Sequence, residues 1–95
     1  MAGYIARVEL HAASYANYEF LYLQMAQRGF TRTVAGANHT VYQLPTGTYF
    51  IASDIPLQEV LNRAVAAANA TLKSSAVVVA ECKEAMWQGL SVNSA

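Results

Sequence analysis

The sequence predicts a small α+β fold: a ferredoxin-like βαββαβ unit, with a four-stranded antiparallel sheet carrying two helices on one face. Strand-like runs at 4–11 and Ser75–Cys82 bracket the chain. Two apolar stripes at helical spacing, one around 18–25 and one over 57–68, lie between them. The stretch separating the stripes is apolar but cut by Gly and Pro, which suits a strand pair. Right-handed crossovers then give the strand order 4-1-3-2.

The first strand alternates. Tyr4, Ala6, Val8 and Leu10 point one way, towards the helices, and Ile5, Arg7, Glu9 and His11 point to the open face. Ser14 is placed to cap the first helix, whose stripe is Tyr18, Leu21, Tyr22 and Met25. Gly29 after Arg28 is a left-handed stop, and 30–35 reads as the second strand. Turn signals at 36–38 and 44–47 leave the next stretch ambiguous. One long hairpin with a bulge at the first signal keeps the simple fold and makes Thr48–Ser53 the third strand. The second helix starts near Pro56 and buries Leu57, Val60, Leu61, Ala64 and Ala68. Three valines in succession mark Ser75–Cys82 as the fourth strand. Residues 1–90 are expected to form one domain, docked at its end through Trp87, with 91–95 a flexible tail.

Composition bounds the function. Six basic residues cancel six acidic ones, and charged residues are only 13% of the chain. A neutral chain lacks the field that drives tight non-specific nucleic-acid binding, so no DNA preference is expected. So little surface charge points to a hidden surface, and a homodimer is the simplest way to hide one. No basic, apolar leader opens the chain and no uncharged run reaches membrane-spanning length, so a cytoplasmic protein without membrane contact is expected.

Chemistry-bearing residues are few. In the expected topology the end of the first strand, the start of the first helix and the hairpin share one end of the molecule. That gathers His11, Ser14, Tyr15, Asn38 and His39. His11 and His39 are the candidate catalytic pair, able to move protons near neutral pH, and Ser14 and Asn38 are the candidate phosphate contacts beside a helix N-terminus. Two ordinary exposed histidines fit the same sequence. Arg28, Arg32 and Asp54 share the other end and suit a solvated ion pair or a phosphate contact. Two histidines and one cysteine match no zinc spacing, so no metal and no cofactor are expected. The segment 46–53 lacks the basic lead and the stacking aromatics of an RNA-recognition signature.

The order Tyr4…Leu10-His11, Tyr18…Leu21…Met25…Gly29-Phe30, Tyr42-Gln43-Leu44-Pro45…Tyr49 resembles the small GhoS-type antitoxin family over most of the chain, roughly from the first strand to the third, and less beyond it. The resemblance implies a ferredoxin-like fold related in shape to the CRISPR adaptation nucleases, and an endoribonuclease acting on the messenger RNA of a partner toxin. Those nucleases carry a metal-binding aspartate near the end of the first strand, where this chain has Glu9, Leu10 and His11. Two expectations from different classes follow: a metal-independent, RNA-cleaving or RNA-binding antitoxin, and a homodimeric protein-interaction module without catalysis.

Overall fold

Alternation in the first strand decides the architecture. The structure, a computed structural model, describes residues 2–93. Its elements run β1 (Ala2–Leu10), α1 (Tyr15–Gln27), β2 (Thr33–Ala35), β3 (Val41–Gln43), β4 (Thr48–Ser53), α2 (Leu57–Ala70) and β5 (Ser75–Cys82). β1 is the central strand of a three-stranded antiparallel sheet of order β4-β1-β5. Tyr4, Ala6, Val8 and Leu10 are all buried, against Leu21 and Met25 of α1 and Val60, Ala64, Ala67 and Ala68 of α2. Both helices therefore pack on one face of this sheet, as the two stripes predict. The small residues of α2 let its axis approach the strands closely.

Each helix has a local reason to start and stop. The Ser14 hydroxyl accepts from the Asn17 amide at 3.3 Å, and the Asn17 side-chain carbonyl accepts from the Ser14 amide at 2.9 Å, a reciprocal cap. Gly29, at φ +94, ends α1 in the left-handed region. Pro56 sits at the head of α2, and Glu59 and Arg63 pair across one turn at 3.0 Å.

The expected four-stranded sheet is not what forms. β2 and β3 make a separate two-stranded ribbon, tied to the main sheet by a single rung between Thr31 and Phe50. Two backbone hydrogen bonds of 2.8 Å make that rung. The chain then bends: the Thr31 hydroxyl bonds the Thr33 carbonyl two residues on, at 3.0 Å, as well as the Phe50 carbonyl at 3.3 Å, and β2 pairs with β3 in place of β4. The long bulged hairpin is corrected too: 36–40 is a tight turn of its own, closed by the Gly36 amide on the Thr40 carbonyl at 2.8 Å. The C-terminal segment completes the ribbon. The Gln43 amide bonds Ser91 and the Asn93 amide bonds Val41, around a Tyr42–Val92 bridge. Of the tail expected to be free from 91 on, 91–93 are thus paired with β3, and 94–95 lie outside the described residues. Trp87 docks on Tyr42 with ring centroids 5.4 Å apart.

Candidate functional site: a tyrosine–arginine cleft

Helical spacing puts Tyr15, Tyr18 and Tyr22 along one side of α1, with Glu19 among them. The Tyr18 hydroxyl closes the end of β1, accepting from the Leu10 amide at 2.9 Å. Tyr22 lies under the Arg32 guanidinium, whose central carbon is 3.9 Å from the ring centroid. The same guanidinium donates to the Glu19 carboxylate at 3.2 Å. Tyr49 enters from β4, whose register against β1 sets it opposite Ala6 and turns its ring inward. The wall opposite α1 is the 44–47 turn. Gly47 makes that turn possible at φ +83, and Arg7 holds it by donating to the Thr46 carbonyl at 3.0 Å.

These side chains enclose a cleft of about 130 Å³ lined by Tyr15, Tyr18, Glu19, Tyr22, Arg32 and Tyr49 together with the 43–47 segment. Tyr49 is 3% exposed, yet its hydroxyl makes no hydrogen bond among the described residues. Burial pushes its pKa up to about 12, with the nearby Arg32 charge opposing and Glu19 reinforcing the rise. The phenol is therefore a neutral donor and acceptor held at the bottom of the cleft, beside a guanidinium and a carboxylate that cancel in charge. That set can hold a neutral, flat group with donors and acceptors on one edge, while the exposed Tyr15 ring offers a stacking face.

The residues singled out from sequence lie elsewhere. His11 follows β1, its Nδ1 3.1 Å from the Ser74 hydroxyl and its Nε2 3.7 Å from Glu9. His39 sits at φ 64 in the ribbon turn. That turn packs by Trp87 and by 82–85, at the Gly3–Cys82 end of the sheet, whereas His11 lies beyond the Leu10–Ser75 rung. About 20 Å of β1 separates those rungs. The structure does not bring the two histidines together, because the ribbon bends off the sheet and folds back. Ser14 is engaged in the α1 cap, and the Asn38 carbonyl accepts from the Thr40 amide at 3.1 Å. Arg32, expected near Asp54, pairs with Glu19. Among the described residues no three His, Cys, Asp or Glu side chains gather closely enough to hold a metal ion, and no helix is long and apolar enough to cross a membrane.

A larger, mostly apolar groove of about 780 Å³ lies on the open face between the ribbon, β4 and the segment after β5, with Val34, Val41, Phe50, Cys82 and Trp87 among its walls. The chain matches no family model, and no curated protein is significantly similar to it.

Proposed function

We propose that this chain is a ferredoxin-like relative of the GhoS-type antitoxins that works in the cytoplasm by binding single-stranded messenger RNA, taking one unstacked base in the tyrosine–arginine cleft. The observation that carries the reading is the Tyr49 hydroxyl, which opens on the cleft from an otherwise buried ring and makes no hydrogen bond among the described residues, beside the Arg32–Glu19 pair. Five positions on which the resemblance rests, Tyr18, Gln43, Leu44, Pro45 and Tyr49, line this one cleft. Their convergence on a polar hollow supports a shared binding role over shared core packing alone. A base offers a flat neutral edge of donors and acceptors, which suits a carboxylate, a guanidinium and a phenol set together. Net neutrality makes the binding weak and base-driven, with few phosphate contacts. The reading rests on binding, since cleavage by His11 and His39 would need both imidazoles at one phosphodiester.

Fluorescence anisotropy with short single-stranded RNAs, in chelator, is the test. Wild type binds with little change between low and moderate salt. Tyr15→Ala weakens binding by roughly 5- to 100-fold, the range for losing one base stack, and Tyr49→Phe weakens it less. Absence of binding across several RNA sequences, or affinity untouched by both substitutions, contradicts the reading. A homodimeric interaction module is the second reading, favoured by a separate feature, the outer edge of β5.

A further inference from the structure

β5 pairs with β1 along its whole length, from Gly3–Cys82 to Leu10–Ser75, without a bulge. Among the described residues no strand meets its other side. The His11 amide bonds the Ser74 carbonyl at 2.9 Å, which fixes the alternation of the ladder. Even-numbered residues of β5 therefore direct their amides and carbonyls to β1, and Ser75, Val77, Val79 and Glu81 direct theirs outward. Sheet edges of this kind are ordinarily blunted by lysine, proline or a bulge. Here 75–80 has no charge, no proline and no glycine, and Val78 is 65% exposed on the open face. A trough of about 380 Å³ runs beside the edge, between Val77–Val79 and Leu57, Gln58 and Leu61 of α2. Leu57 itself is 43% exposed.

We propose that a second copy of this chain occupies this edge, its β5 antiparallel to the first about a two-fold axis at Val78, giving one continuous six-stranded sheet. The segment Ala76-Val77-Val78-Val79-Ala80 reads the same in both directions, which is what a two-fold pairing requires. Val78 meets its own counterpart, Ala76 meets Ala80, and Val77 meets Val79. In this register every outward-facing residue of one copy opposes an outward-facing residue of the other, Ser75 against Glu81 included, so all the free amides and carbonyls find partners. Lys73, just before β5, comes diagonal to Glu81 of the second copy, within reach of a long side chain. The apolar troughs of the two copies then flank one axis and cover each other. A general peptide-binding edge would need none of this mirror symmetry. The assembly does not depend on the RNA reading, because neither β5 nor α2 lines the tyrosine–arginine cleft.

Sedimentation at tens of micromolar is expected to give twice the 10.3 kDa chain mass. Val78→Lys sets two ammonium groups opposite each other on an already exposed position, and is expected to raise the dimer dissociation constant by about tenfold or more while the monomer stays folded. In a Cys82→Ser background, Val78→Cys is expected to crosslink on mild oxidation. Residues opposed in a non-hydrogen-bonded pair have Cα atoms about 4.5 Å apart, within disulfide range. A monomeric wild type, a dimer indifferent to Val78→Lys, or a failure of Val78→Cys to crosslink each overturns the proposal.

Discussion

The outer edge of β4 is covered, whereas among the described residues the outer edge of β5 is bare, and the two edges present different chemistry. Beside β4 the Thr31–Phe50 rung, the bent ribbon and the 44–47 turn leave room for side chains of α1 and β4 to meet. That edge has become a small polar cleft lined with donors and acceptors. Beside β5 no strand intervenes among the described residues, and the strand presents its backbone groups and valines in the palindromic order Ala76-Val77-Val78-Val79-Ala80. One edge thus carries chemistry in side chains, the other in the main chain. A sheet of only three strands can support both because β1, paired with β4 over Ala2–Arg7 and with β5 over Gly3–Leu10, lies between the two edges.

The covered edge breaks most readily at Gly47. At φ +83, a Cβ there would run into the Arg7 guanidinium and come within 2.5 Å of the Val8 carbonyl oxygen. Gly47→Ala is expected to cost about 3 kcal/mol or more, combining left-handed strain with a backbone clash. Thermal melts should show it as a drop of roughly 4–8 °C per kcal/mol in a domain of this size. A loss smaller than about 1 kcal/mol would mean that the turn relaxes freely and does not shape the cleft.

A smaller effect sharpens the same edge. The folded chain holds the Tyr49 proton where the unfolded chain, at the ordinary value of 10.0, has already released it, because burial raises the folded value to about 12. The resulting stability is intact below pH 10 and is lost as pH rises through 12. Wild type should therefore lose more stability than Tyr49→Phe between those limits, while at neutral pH the two differ by less than about 0.5 kcal/mol, since the hydroxyl has no partner to lose. Parallel alkaline profiles would mean that the phenol is not buried as described.

The core and the cleft differ in how far they can be read from the chain. Strict alternation from Tyr4 to Leu10 reports a two-sided environment, so β1 and its buried face are legible, as are the stripe of α2 and the valines of β5. The departure of the ribbon is not. It goes with the pairing of 91–93 with β3, a contact between segments far apart in sequence that no local pattern announces. The candidate histidines fall apart for that reason, since their meeting required the ribbon to continue the sheet. The cleft was legible only in part. Tyr18 and Tyr22 read as core stripe, although three tyrosines along one helix side with a glutamate among them imply hydroxyls that need polar company. Nothing in the sequence named Arg32 as the partner of Glu19, because that contact crosses from α1 to the bend before β2.

Amide hydrogen exchange along β5 at two protein concentrations tests the contrast between the edges most directly. The amides of Ala76, Val78 and Ala80, bonded to β1, should be protected at both concentrations. Those of Val77, Val79 and Glu81 should be protected at high concentration and exchange quickly on dilution, as the second copy leaves. Fast exchange of Val77, Val79 and Glu81 at every concentration, with Ala76 and Val78 still protected, would contradict a paired β5 edge.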